Sequence, residues 1–328
     1  MIKIGIFMPY TQGLDTIFKK IKKEMGYKGK ITLIKPKNEL EKKKAIPEVD
    51  IVISGPLTNE EIIEAKKLKL IQVPYAGVEE FNLNLLKDRN IILSNVHGNA
   101  TSVAEHAFSL LLTLAKGIVV NDRDLRKGMW HGWMSNEPNI EIEGKTLCII
   151  GLGSIGKKAA QFGKTFGMNV VGVKKNITNV PNVDKVYGAN KIKDAVSKAD
   201  FILLAVPATN ETKELINKGM FNFMSGKYLI NVSRGSVINE RDLFVALKNH
   251  TLKGAAIDTW WLYPKKQHEF QYPSRYPFWL LDNIIMSPHT AGYSDKSIGI
   301  NWEEAIINVI RFASGKKIKN IVSTEKGY

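Results

Sequence analysis

The run Gly151-Leu152-Gly153-Ser154-Ile155-Gly156 constrains this chain more than any other stretch, because of what flanks it. An apolar, strand-like segment, Thr146-Leu147-Cys148-Ile149-Ile150, leads into it. A helical pattern follows from Lys157 to Phe166, and a second strand pattern covers Asn169 to Val173. In such a strand–turn–helix–strand unit the three glycines have separate duties. Gly151 allows the tight turn, Gly153 lets the backbone approach a pyrophosphate, and Gly156 lets the helix pack close to the strand. The diphosphate would rest on free N–H groups at the positive end of the helix, where Ser154 and Ile155 stand. Three glycines alone can simply make a turn; with both flanks in place the pattern predicts a Rossmann dinucleotide site.

The second strand ends Val173-Lys174-Lys175-Asn176, with no carboxylate. A unit that takes NAD usually places Asp or Glu there for the ribose hydroxyls. Two ammonium groups would attract a 2′-phosphate instead, which predicts a preference for NADP(H), with NAD(H) still possible. The plainer reading is two solvated lysines in a lysine-rich chain.

A length of 328 residues suggests about two domains with sizeable cores. A net charge of +15 invites a nucleic-acid or anionic-membrane partner. The lysines are scattered, however, and the densest runs, Lys19-Lys20 with Lys22-Lys23 and Lys42-Lys43-Lys44, fall near helical patterns. They read as solvated faces, so no specific nucleic-acid partner is expected. Cys148 is the single cysteine, which rules out an intrachain disulfide, and its apolar strand makes it a packing residue. The opening Met1-Ile2-Lys3-Ile4-Gly5-Ile6-Phe7 reads as a short buried strand rather than a signal peptide. No apolar run approaches the 18 residues of a membrane span. A cytoplasmic protein is expected. No grouping of His, Cys and carboxylates has metal-ligand spacing, so no metal is expected.

Strand and helix patterns alternate throughout, which predicts α/β layers with mostly parallel sheets. Strands are expected near 2–8, 31–34, 50–54, 70–73 and 91–93, then near 146–150, 169–173, 201–206, 228–232, 254–258 and 284–287. Helices are expected near 14–26, 59–67 and 82–88. A long helix should begin around Thr101, with Ser102 to Glu105 as a capping box, and another should run from Ile300 to Phe312.

Five segments occur in order: Val73-Pro74-Tyr75-Ala76-Gly77-Val78, Ser102-Val103-Ala104-Glu105-His106, the glycine loop, Asn231-Val232-Ser233-Arg234-Gly235, and Ser287-Pro288-His289-Thr290-Ala291-Gly292. Together they resemble the D-isomer-specific 2-hydroxyacid dehydrogenases, which include glyoxylate, hydroxypyruvate and phosphoglycerate dehydrogenases. The resemblance implies reversible reduction of a small 2-oxo acid to a D-2-hydroxy acid. It makes Arg234 the guanidinium that holds the substrate carboxylate and His289 the proton donor to its carbonyl oxygen. An imidazole suits that exchange because it titrates near neutral pH. Ala76, Gly77 and Val78 match the loop whose amides bind substrate, Asp258 a carboxylate on the nicotinamide side, and Val206-Pro207 the strand end against the adenosine. His106 reads as helix packing, His97 lies near the expected domain crossing, and His131, His250 and His268 read as surface or loop residues.

One family residue is missing. Where a Glu-Pro pair usually supplies a carboxylate to the catalytic histidine, this chain has Tyr263-Pro264. A phenol can orient the ring but supplies no charge to the imidazolium. Either Tyr263 stands in for the glutamate, or another acid such as Glu269 reaches His289 from a rebuilt loop. Trp260, Trp261, Phe278 and Trp279 read as core or interface residues, or as a pocket wall.

The expected fold is α/β, with two Rossmann-like parallel-sheet domains. A cofactor domain, residues 98–288, would be inserted into a discontinuous substrate domain, residues 1–97 plus 289–328, with the site in the cleft between them. The resemblance also implies a homodimer through the long helix and the arm from Val119 to Trp133, including Trp130. A rival reading follows from the missing glutamate and the positive charge: a dinucleotide-sensing binding protein of the C-terminal-binding-protein corepressor kind, with little or no turnover.

Overall fold

The computed structural model describes residues 1–9, 13–130, 132, 138–266 and 269–328. His131, Trp133 and His268 lie outside the described residues. The chain forms two compact units, Met1–Asn99 with Asp295–Tyr328, and Ala100–Ser294.

The first unit begins with strands β1 (Ile2–Ile6), β2 (Ile31–Ile34), β3 (Ile51–Ile53), β4 (Leu70–Gln72) and β5 (Ile92–Ser94). Helices α1 (Leu14–Glu24), α2 (Glu39–Ala45), α3 (Asn59–Glu64) and α4 (Leu83–Asp88) alternate with them. Every ladder is parallel and the order is β2-β1-β3-β4-β5. Helix α1 shows how the pattern becomes packing. Leu14, Phe18 and Ile21 recur at helical spacing and are buried, while Lys19, Lys20 and Lys23 on the other side are exposed. Lys43 and Lys44 of α2 are exposed as well. Most of the densest lysine runs thus lie on outward helical faces, while Lys42 turns to an ion pair with Glu61 at 2.6 Å.

The second unit holds α5 (Ala100–Lys116), α6 (Ile118–Arg126), β6 (Thr146–Ile150), α7 (Ser154–Thr165), β7 (Asn169–Val173), β8 (Lys185–Tyr187), α8 (Ile192–Ser197), β9 (Phe201–Leu204), α9 (Lys218–Phe221), β10 (Tyr228–Asn231), α10 (Glu240–Lys248), β11 (Gly254–Ile257) and β12 (Ile284–Met286). Among the described residues its seven strands are all parallel, in the order β12-β11-β10-β9-β6-β7-β8. Apolar clusters cover both faces, as a parallel sheet requires. The order reverses between β6 and β9, and ligands of open parallel sheets bind beyond the carboxyl ends of strands at such a switch point.

The last helix, α11 (Ser297–Ala313), returns to the first unit. Asn308 fastens it there. Its Nδ2 donates to Gln72 Oε1 at 3.0 Å, Ser94 Oγ at 2.8 Å and Lys319 O at 2.8 Å, and its Oδ1 accepts from Lys319 N at 2.8 Å. Gln72, Ser94 and Asn308 are all buried, so this amide answers the polar groups that the β4 and β5 strand ends would otherwise leave unpaired.

Two expectations need correcting. The long helix starts at Ala100, so Ser102 already lies within it. Its hydroxyl donates to Ala291 O at 2.8 Å, and it forms no capping box with Glu105. The segment from Lys185 to Tyr187 carries a strand that was not expected; it is short, and β8 is an edge strand whose Lys185 is exposed. Among the described residues, no single helix is long and apolar enough to cross a membrane.

Candidate active site

The glycine loop follows β6 at the switch point. Gly151 has φ +102°, and a Cβ there would lie 2.5 Å from Ala205 O, just past β9. A Cβ on Gly156 would lie 2.0 Å from Gly151 O, which is the close helix-to-strand approach the sequence suggested. Gly153 differs: a Cβ there would meet no protein atom within 4 Å. The protein itself therefore does not demand a glycine at 153, and a ligand passing close to the backbone would. Gly153 also forms the N-cap of α7 and offers no side chain to the first-turn N–H groups. Ser154 and Ile155 thus begin a 12-residue helix whose positive end can take a phosphate. These features fit a dinucleotide.

Around this loop, Lys174 Nζ donates to Thr178 Oγ1 at 3.1 Å. Lys175 Nζ forms an exposed ion pair with Glu211 at 2.8 Å. Val206 and Pro207 continue from β9 beside Gly151, and Pro207 O accepts from the Thr212 hydroxyl at 2.6 Å. Cys148 is buried in β6, and desolvation pushes its thiol up to about 12, as befits a packing residue.

Arg234 stands three residues beyond β10, in a loop that Asn231 shapes. The Asn231 Oδ1 accepts from Ser233 N at 3.0 Å and from Ser233 Oγ at 2.7 Å, while its Nδ2 donates to Arg234 O at 3.0 Å. Gly235 follows because Trp260 O passes there, 2.3 Å from where a Cβ would sit. Trp260 is buried, and its indole N–H donates to Ser287 O at 2.8 Å, two residues before His289. One tryptophan therefore joins the Arg234 loop to the His289 loop.

His289 has φ +57°, left-handed backbone that is costly outside glycine and concentrates at functional sites. The two residues after it hold it there: Thr290 N donates to Asp258 Oδ1 at 3.0 Å and Ala291 N to Asp258 Oδ2 at 3.2 Å. Asp258 is fully buried at the end of β11 and also accepts from Ser287 Oγ at 2.7 Å. The Tyr263 ring lies beside the imidazole, centroids 5.4 Å apart and planes tilted by 60°. Its phenol oxygen accepts from Trp260 N at 3.1 Å. Tyr263 thus occupies the neighbourhood assigned to the missing glutamate. Glu269 turns its carboxylate to Lys265 N at 2.8 Å and Lys266 N at 3.1 Å.

His106, read from the sequence as helix packing, belongs to this polar cluster. Its Nε2 lies 3.0 Å from Ser287 Oγ and 3.4 Å from Asp258 Oδ1. Nothing in the α5 periodicity distinguishes it, because its partners are more than 150 residues away in sequence. The aromatics divide. Trp260 and Phe278 are buried core, with Trp261 stacked on Phe278 at 5.6 Å, whereas Trp279 is exposed and stacks on Tyr272 at 4.0 Å.

In the first unit, Ala76, Gly77 and Val78 follow β4. Asn95 Nδ2 donates to Ala76 O at 2.7 Å and steadies the loop. Among the described residues, the N–H groups of these three residues donate to no protein acceptor.

Two parallel-sheet units, a glycine loop at a switch point, and an arginine and a histidine tied to one buried tryptophan define a nucleotide-dependent oxidoreductase architecture. Residues 108–291 match the model of the D-isomer-specific 2-hydroxyacid dehydrogenase NAD-binding domain. The chain is 32% identical over 98% of its length to D-3-phosphoglycerate dehydrogenase of Methanocaldococcus jannaschii, spanning 60% of that protein. It is 30% identical to glyoxylate reductase of Thermococcus litoralis, over 87% of this chain and 86% of that one. A solved acyclic imino acid reductase in complex with NADPH and D-Arg superposes with a TM-score of 0.81 at 27% identity, covering 98% of this chain and all of that one. The chain belongs to the D-isomer-specific 2-hydroxyacid dehydrogenase family.

Proposed function

We propose that the protein reduces a small 2-oxo acid to the D-2-hydroxy acid, reversibly and with a preference for NADP(H). The observation that carries this reading is the common anchoring of Arg234 and His289, through Gly235 against Trp260 and Ser287 O on the Trp260 indole. When bound, the nicotinamide cofactor supplies the hydride. The Arg234 guanidinium offers two parallel donors to the substrate carboxylate, a geometry that lysine lacks. His289 gives its proton to the carbonyl oxygen and recovers one in the reverse direction. Tyr263 orients the imidazole without adding charge. Asp258 fixes the backbone on which the imidazole stands, and Ala76, Gly77 and Val78 offer unpartnered amides to a carboxylate. Gly151, Gly153, Ser154, Ile155 and Gly156 would cradle the diphosphate. Lys174 and Lys175 would attract a 2′-phosphate, with Glu211 competing for Lys175.

The decisive experiment is steady-state oxidation of NADPH and NADH with glyoxylate, hydroxypyruvate and pyruvate, with Arg234→Ala alongside. Turnover abolished by Arg234→Ala is expected, with a higher kcat/KM for NADPH; equal values for the two cofactors would sink the preference. Tight NADPH binding without turnover would move the reading toward a dinucleotide sensor.

A homodimer is proposed as well. Helix α6 has no buried residue and exposes Ile118, Val119 and Leu125, with Met129 and Trp130 just beyond it. So large an apolar surface favours a covering partner.

A further inference from the structure

Helix α5 grips the loop that carries His289 at two points. Ser102 and His106 stand four residues apart, so they share one face of the helix, one turn from each other. The Ser102 hydroxyl donates to Ala291 O at 2.8 Å, two residues after His289. The His106 Nε2 lies 3.0 Å from Ser287 Oγ, two residues before it. Two side chains of one helix therefore hold the loop on either side of the proposed proton donor. Helix and loop both belong to the second unit.

Proton bookkeeping fixes the direction of the His106 contact. Ser287 Oγ stands 2.7 Å from Asp258 Oδ1, too close for two oxygens with no hydrogen between them, and a carboxylate has none to give. The single hydroxyl hydrogen of Ser287 therefore goes to Asp258. Its Oγ can then meet the imidazole only as an acceptor, so Nε2 must carry a hydrogen and donate. A bare Nε2 would set two acceptors against one hydroxyl hydrogen and break the chain. The same Nε2 lies 3.4 Å from Asp258 Oδ1, and Thr290 Oγ1 lies 3.4 Å from Ser287 Oγ. Donation thus runs from His106 through Ser287 to Asp258, whose two oxygens also receive the amides of Thr290 and Ala291. Ser287 and Asp258 are both buried, where such linked bonds strengthen one another.

We propose that His106 is a positioning residue for the reduction: by donating from Nε2 to Ser287 it keeps the Ser287 hydrogen on Asp258, and so holds His289 in place. The inference rests on the reductase reading above and adds a residue that acts through its neighbours. Left-handed backbone outside glycine persists only where surrounding contacts over-determine it. At His289, with φ +57°, those contacts are Asp258 on the two following amides, the Trp260 indole on Ser287 O, and α5 on Ser287 Oγ and Ala291 O. Without the His106 donor, the Ser287 hydroxyl is free to turn from Asp258. The imidazole of His289 then loses its fixed place relative to the carbonyl oxygen it protonates.

The test compares His106→Leu, which removes the donor, with His106→Gln, whose amide can donate from nearly the place of Nε2. The full chain is assayed with NADPH and whichever of glyoxylate, hydroxypyruvate and pyruvate the parent reduces best. Hydrogen exchange of the Thr290 and Ala291 amides is followed alongside. In His106→Leu, kcat is expected to fall about tenfold while the KM for NADPH stays put. The two amides should exchange about tenfold faster. His106→Gln should restore both rates. Parent-like kcat and exchange in His106→Leu would overturn the proposal and leave the reductase intact. A loss that His106→Gln does not restore would overturn it too, because the donor would not be what matters. A parent that reduces none of the acids, with exchange raised in His106→Leu and restored in His106→Gln, would overturn the reductase and support the anchoring. No reduction and unchanged exchange would overturn both. Histidine-selective nitrogen NMR of the parent needs no variant, so the proposal remains testable if His106→Leu fails to fold. A hydrogen on His106 Nε2 is expected there, and a bare Nε2 would overturn the proposal.

Discussion

Replacing Tyr263 by glutamate tests directly what the absent carboxylate means. The phenol ring stands 5.4 Å from the imidazole of His289. A unit negative charge at that separation attracts an imidazolium by about 0.8 kcal/mol in bulk water and about 3 kcal/mol at an effective dielectric of 20. Tyr263 is 46% exposed and His289 is exposed too, so the weaker part of that range applies. An interaction of about 1.4 kcal/mol makes proton affinity tenfold greater. The sign follows from the charge. A carboxylate stabilises the protonated ring, which is the form that donates in reduction, so protonation persists to higher pH. Under the proposed mechanism, the alkaline limb of the pH–rate profile for 2-oxo acid reduction should move up by about one pH unit in Tyr263→Glu. Tyr263→Phe, which keeps the ring but loses the hydroxyl on Trp260 N, should leave that limb in place. The assay is kcat/KM against pH for the three proteins under saturating NADPH. A limb that stays put in Tyr263→Glu, or moves down, would refute either the role of His289 or the claim that position 263 faces it.

Three other expectations can be checked independently. Asp258→Asn keeps the shape but sets an NH2 group against Ala291 N–H if its oxygen stays with Ser287 and Thr290. It should cost about 2 kcal/mol, read as a lower urea midpoint, and an unchanged midpoint would remove Asp258 from the anchoring role. Glu211→Ala takes away the carboxylate paired with Lys175 and should raise the NADPH-to-NADH ratio of kcat/KM several-fold; no change would mean that Lys175 does not meet a 2′-phosphate. Val119→Glu combined with Leu125→Glu should halve the mass measured by light scattering, whereas a monomeric parent protein would end the dimer proposal.

The sequence carried the cofactor loop well because its constraints are local. Three glycines, an apolar strand and a helix within thirty residues determine one another, and the steric demands at Gly151 and Gly156 follow from that geometry. Tyr263 was traceable because Asp258 and Pro264 bracket it in sequence. The parts that stayed hidden depend on contacts over long separations. Ser102 looked like a cap because Glu105 follows it, yet an acceptor 189 residues away, Ala291 O, claims its hydroxyl. His106 has no local mark of its place beside Ser287, 181 residues on. Local chemistry is written in runs of residues; a polar cluster assembled by strand ends is not.

The Asn308 amide also has a consequence for biosynthesis. Its partner Ser94 lies 214 residues earlier, so the first-unit sheet must wait for α11 before its buried polar ends are satisfied. At ribosomal speeds of about 5–20 residues per second that wait is roughly 10–40 s. The second unit, being continuous in sequence, can close during this interval, while the amino-terminal segment carries apolar strands without their last helix. Nascent chains of this protein should therefore depend on chaperone cover for their first hundred residues rather than for the nucleotide-binding unit. Truncation before Asn308 would leave that early segment permanently in the state that full-length chains pass through briefly.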